Sequence, residues 1–190
     1  MSAVDEIRSA RLVAILRRPD DVDASVARLA AAGVRVVEIT LDTEDAVGAI
    51  RRARDRGDLT VLAGTVREPT QVDVAVSAGA EAVVSPTLSL AVLERAAALG
   101  VPAIPGALTP AELEATWRAG AALVKLFPAR LGGPRYVRDV LAPLPEIPLL
   151  VTGGVDAANA REFLEAGAVA VGVGSGLGSD AELRSLVDAV

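Results

Sequence analysis

Apolar runs of strand length alternate with stretches of helical spacing along the whole chain, and one recurring phrase marks five of the passages from helix to strand. It occurs at Ala32 to Val37, Ala78 to Val83, Leu99 to Ile104, Ala119 to Val124 and Ala166 to Val171. In each, a helical pattern stops at a glycine, which enters the φ > 0 region without a Cβ penalty, and an apolar strand begins at once. Filling in the pattern between these points predicts eight strands, near residues 12–17, 34–41, 59–66, 82–88, 101–108, 123–129, 148–155 and 168–175. A helical stretch follows each strand, with the weakest pattern near Arg135 to Leu141. Strands that are apolar on both faces and alternate with helices form parallel sheets, and eight such units fit a closed (β/α)8 TIM barrel. An open doubly wound sheet would leave unpaired edge strands. No linker or low-complexity tract interrupts the pattern, so one domain over residues 1–190 is expected, with short loops.

Composition narrows what the barrel could do. A chain that is 52% hydrophobic but 2% aromatic builds its core from Ala, Val and Leu, which suits helices packed closely on a sheet. The formal charge of −6 argues against a nucleic-acid surface or an anionic membrane as partner. No apolar run reaches the roughly 20 residues needed to span a bilayer, and Met1 to Ile7 does not read as a signal peptide, so a cytoplasmic protein is expected. The chain holds no cysteine and no histidine, which removes the thiol nucleophile, the commonest metal ligand and the commonest general base. Chemistry then falls to Glu, Asp, Lys, Arg, Tyr, Ser, Thr and the backbone, with no metal and no cofactor expected. No GxGxxG follows the first strand, so nothing points to a dinucleotide.

Of the 19 basic residues only Lys125 is a lysine, and it sits inside the apolar run Leu123-Val124-Lys125-Leu126-Phe127-Pro128-Ala129. An ammonium in an apolar interior is costly, so an interior lysine either pairs with a carboxylate or gives up its proton. A neutral lysine adds to carbonyls and forms a Schiff base. Glu38, in the second strand, serves either reading, as the partner of a structural salt bridge or as the acid/base of a reaction. Reacting groups of this fold collect at the carboxyl ends of the strands, where the chain also places Arg17, Thr65, Pro86 and Phe127. Glycines cluster after the last two strands, at Gly153 and Gly154 and at Gly174 before Ser175. Such loops either make tight turns or expose N–H groups to a phosphate. Asp156 or Asn159 is expected to cap the seventh helix, and Ser179 or Asp180 the eighth. Lysine and phosphate cradle together suggest a small phosphorylated carbonyl compound.

In order along the chain, Val36 to Thr43 (VVEITLDT), Ala63 to Val66 (AGTV), Val84 to Leu88 (VSPTL), Ile104 to Gly106 with Thr109-Pro110, Val124 to Ala129 (VKLFPA), Thr152 to Val155 (TGGV) and Gly172 to Ser175 (GVGS) resemble the 2-keto-3-deoxy-6-phosphogluconate (KDPG) / 4-hydroxy-2-oxoglutarate (KHG) aldolase family. The resemblance implies a class I aldolase, a homotrimer of (β/α)8 subunits that acts on pyruvate and a phosphorylated aldehyde without a metal. It further implies that Lys125 forms the Schiff base, that Glu38 is the acid/base and that Thr65 holds the pyruvate carboxylate. Phe127 and Pro86 would pack around the imine, and Gly153, Gly154, Gly174 and Ser175 would hold the phosphate.

The chain departs from that pattern in two places. Well-known members carry an arginine four residues after the glutamate, where this chain has Asp42, and a carboxylate cannot bind a carboxylate. Arg17, at the end of the first strand, is therefore expected to make the anion contact. Thr87 stands where a glycine is common in the family, and its larger side chain is expected to narrow the pocket. Two other classes of function remain compatible with the residues: a phosphosugar isomerase or epimerase using Glu38 as base, and a non-catalytic phosphate-binding protein.

Overall fold

The computed structural model describes residues 2–190. Nine strand segments, β1 (Leu12–Leu16), β2 (Val36–Thr40), β3 (Thr60–Gly64), β4 (Ala82–Val84), β5 (Ala103–Ile104), β6 (Gly106–Ala107), β7 (Val124–Leu126), β8 (Leu149–Thr152) and β9 (Ala170–Val173), form one parallel sheet in the order β5-β4-β3-β2-β1-β9-β8-β7-β6. The helices are α1 (Ala3–Ala10), α2 (Val22–Ala31), α3 (Ala46–Asp55), α4 (Pro69–Ser77), α5 (Leu90–Ala98), α6 (Pro110–Arg118), α7 (Gly133–Leu141), α8 (Ala160–Glu165) and α9 (Asp180–Ala189).

The two ends of this sheet, β5 and β6, are consecutive in the chain and separated by Pro105 alone. Proline has no N–H to place in a ladder, so it is where pairing changes sides. Up to Ile104 the segment pairs with β4, through Val84↔Ile104, and from Gly106 onward it pairs with β7, through Gly106↔Lys125. The Pro105 carbonyl accepts from the Lys125 N–H at 2.9 Å. The result is a nearly closed, barrel-like sheet in which the single strand expected near residues 101–108 is two short segments.

Two buried clusters follow from the period of two along the strands. The larger lies between helices and sheet and includes Leu29, Ile50, Leu113 and Phe163. The smaller takes the opposite face of the strands, with Val13, Val36, Leu62, Ala82, Ile104, Leu123, Leu150 and Ala170. Ala3 and Ile7 of α1 belong to it. This first helix is absent from the expectation above, although Ser2 and Asp5 form a capping box at its start. Its short apolar face packs against the half of the interior nearer the strands' amino ends.

Continuing each strand of the inner face by two residues reaches Ile15, Glu38, Gly64, Val84, Gly106, Lys125, Thr152 and Gly172. This layer differs from the apolar one below it: it holds two long charged side chains, and Gly64 leaves the volume that Glu38 fills. A Cβ on Gly172 would come within 2.6 Å of Thr152 Cγ2.

Candidate active site

Lys125 is held by β7, between β6 and β8, with its side chain in the upper layer. It is 5% exposed, and Glu38 on β2 is 0% exposed. Lys125 Nζ stands 3.6 Å from Glu38 Oε1, an ionic contact too long for a good hydrogen bond. Both Glu38 oxygens lack a hydrogen-bond partner among the described residues. A buried carboxylate without hydrogen bonds is expensive, and it is the kind of group that catalysis rather than stability retains. Nζ also lies 5.6 Å from the centre of the Phe127 ring.

A cavity of about 420 Å³ opens above the lysine, lined by Arg17, Lys125, Phe127, Gly153, Gly154, Gly174 and Ser175 among others. Seven of the ten side chains or glycines expected at the site thus share one space. Gly153 and Gly154 have φ of +87° and +93°, so both need the freedom of glycine to make this turn. Pro86 lines a neighbouring cavity of about 300 Å³ with Thr87, and Phe127 borders both spaces. Pro86 follows the short β4, which ends at Val84, and turns toward Gly106 on the β5 to β6 segment, where a Cβ would lie against its backbone.

Glu38 and Thr65 do not line the main cavity but are tied to residues that do. Arg17 Nη1 contacts Asp42 Oδ2 at 3.3 Å, and Nη2 donates to Thr65 Oγ1 at 3.1 Å. Arg18 Nη2 reaches the same Asp42 oxygen at 3.2 Å. Asp42 therefore occupies a position with a role the sequence left vacant: it is the counter-ion that aims Arg17 at Thr65. Burial pushes the Asp42 carboxyl upward, but the Thr40 hydroxyl and the guanidinium groups of Arg17 and Arg18 outweigh it and hold the group below the usual carboxylate range. Thr65 has φ +59°, a left-handed conformation that is uncommon for a β-branched residue and is characteristic of functional positions.

Sequence reasoning did not single out Arg130 and Ile15, which also line the cavity, as does Thr152 at the end of β8. Thr152 is buried and its hydroxyl is without a partner among the described residues. It was legible as the one polar residue ending the run Leu149-Leu150-Val151. Of the candidate caps, Asn159 stands at the start of α8 without a side-chain capping bond, while Asp156 Oδ1 accepts from the N–H of Ala158 at 2.9 Å. Ser179, and not Asp180, caps α9, in a capping box with Glu182.

The family model for KDPG and KHG aldolase matches residues 4–187. The 2-dehydro-3-deoxy-6-phosphogalactonate aldolase of Escherichia coli K12 is 36% identical over 173 residues, covering 87% of this chain and 83% of the relative. A native KDPGal structure superposes with a TM-score of 0.87 at 31% identity, covering 94% of this chain and 93% of the other. The KDPG aldolase of Legionella pneumophila, solved with pyruvate captured as a covalent carbinolamine intermediate, superposes with a TM-score of 0.84 at 26% identity, covering 98% and 95% of the two chains. With the match running through every strand and through the lysine, the glutamate and the glycine turns, the chain belongs to the KDPG and KHG aldolase family.

Proposed function

We propose that this chain is a class I aldolase, a lyase that reversibly cleaves a 2-keto-3-deoxy sugar acid phosphate, 4-hydroxy-2-oxoglutarate or both to pyruvate and an aldehyde. The observation that carries the reading is the single lysine, buried at the floor of the cavity with its Nζ 3.6 Å from an otherwise unpartnered carboxylate. The Lys125 amine adds to the C2 carbonyl of the substrate, and Glu38 protonates the carbinolamine hydroxyl so that it leaves as water, giving a protonated imine and a Glu38 carboxylate. Glu38 takes the proton of the C4 hydroxyl, by way of a water, as the C3–C4 bond breaks. The bonding electrons pass into the imine, the aldehyde leaves, and an enamine remains. Glu38 returns a proton to C3, and water hydrolyses the pyruvyl imine to free the lysine.

Around this centre, Arg17 and Thr65 bind the carboxylate beside the imine, Phe127 packs against it, with Pro86 behind Phe127, and Gly153, Gly154, Gly174 and Ser175 receive the phosphate. Counting β5 and β6 as one strand broken at Pro105, we read the chain as a single (β/α)8 catalytic domain. It acts as a homotrimer in the cytoplasm; exposed Leu90 and Leu131 are apolar surface of the kind a subunit contact covers. No helix among the described residues is long and apolar enough to cross a membrane.

Borohydride reduction in the presence of pyruvate tests the reading. An intact mass increased by one reduced pyruvyl group in the wild type, and unchanged in folded Lys125→Ala, is expected. Folded wild-type protein that takes up no adduct overturns it.

A further inference from the structure

The cavity contains two arginines, and they are differently engaged. Arg17, at the end of β1, directs both terminal nitrogens toward β2 and β3, to Asp42 and Thr65. Arg130 follows β7 in a short 3-10 turn, Ala129–Leu131, and its guanidinium has no ion-pair or hydrogen-bond partner among the described residues. In the sheet order, β8 and β9 lie between β1 and β7, so the turns at Gly153-Gly154 and Gly174-Ser175 fall between the two arginines. With Arg17 turned away, Arg130 is, among the described residues that line the cavity, the cation without a partner.

The backbone holds Arg130 there. Its N–H donates to the Gly153 carbonyl at 2.8 Å. A Cβ on Gly154 would come 2.5 Å from Arg130 Cβ and 3.3 Å from its Cα, so glycine at 154 is what lets the arginine backbone lie against the turn. A glycine turn offers a phosphate only backbone N–H groups, which an unphosphorylated substrate can exchange for water at little cost. A guanidinium adds a full charge and a planar fork that fits two phosphoryl oxygens. Resting on the aldolase reading, we infer that Arg130 is the residue that selects a phosphorylated aldehyde over an unphosphorylated one, by binding the phosphoryl dianion seated at these two turns.

The test compares aldol addition of pyruvate to glyceraldehyde 3-phosphate and to glyoxylate in the wild type, Arg130→Ala and Arg130→Lys. Arg130→Ala is expected to lose about 10- to 100-fold in kcat/KM for the phosphorylated aldehyde, mostly through KM, and to keep its rate with glyoxylate within about twofold. Arg130→Lys recovers part of the loss. An equal loss with both aldehydes, or with neither, overturns the inference while the pyruvate adduct on Lys125 leaves the aldolase reading standing. If no adduct forms, inorganic phosphate titrated into wild type and Arg130→Ala decides the arginine's role by itself. About tenfold weaker binding in the variant supports it, and equal binding overturns it.

Discussion

Gly64 on β3 leaves the space that Glu38 on β2 fills: a Cβ built on Gly64 would overlap Glu38 Oε1 and lie 2.7 Å from the carboxyl carbon. The glutamate's aim at Lys125 thus depends on a hydrogen atom in the adjacent strand. Gly64→Ala is expected to displace the carboxylate and lower kcat at least tenfold, with the protein still folded by circular dichroism. Pyruvate trapping on Lys125 should persist, because the lysine is untouched.

Glu38→Gln keeps the volume and removes the base. Loss of about 10²- to 10⁴-fold in kcat for cleavage is the expected result, the range for a positioned general acid/base. Steady-state kinetics with retained circular dichroism would check it, and a variant with wild-type kcat would remove Glu38 from the mechanism.

The buried pair also couples the two residues in stability. Lys125→Ala strands a carboxylate that already lacks hydrogen bonds, so denaturant unfolding should find it less stable than the Lys125→Ala, Glu38→Gln double variant. A difference of about 1–3 kcal/mol is expected from the uncompensated buried charge. Additive effects would mean that the two side chains do not interact.

Arg17 and Asp42 should shift pyruvate affinity in opposite directions. Arg17→Ala removes the cation and is expected to raise the pyruvate concentration for half-maximal adduct by about tenfold or more. Asp42→Asn keeps an acceptor for Arg17 but removes the competing charge, so that concentration should fall about two- to fivefold, the scale of a partly exposed ion pair. Borohydride trapping over a pyruvate series reads both.

Glu112 completes the capping box of α6, accepting from the N–H of Thr109 at 2.8 Å and of Leu108 at 3.0 Å. Those bonds to Thr109 and Leu108 hold its carboxyl below the usual range. Stabilisation from a lowered acid group is complete above its unfolded value and is lost as pH falls through the folded one. Glu112→Gln should therefore be less stable than wild type near pH 7 and approach it in urea titrations below pH 4.

Most of the scaffold was legible because two periods, helical and strand, alternate along the chain and a glycine marks five of the passages from helix to strand. The lysine and the glutamate were legible because a charge within an apolar run has few uses. Asp42 and Arg130 were not. Their roles depend on where two turns bring them, on Arg18 and Thr65 in left-handed conformations and on the path after β7, and a sequence pattern carries no signal for pairing across loops. Helix α1 was not read because it precedes β1 and so falls outside the repeat in which a helix follows each strand.

The lone lysine has a further consequence, for the parts of the molecule where nothing is meant to react. An enzyme that releases and recaptures aldehydes is bathed in electrophiles, and surface amines would collect adducts at random. The 18 arginines of this chain keep the surface charged and hydrated, yet a guanidinium stays protonated and does not condense with a simple aldehyde as an amine does. Apart from the α-amino group, the amine chemistry of the protein is confined to one buried nitrogen, so the wear that its own product would inflict on a lysine-rich exterior has no foothold.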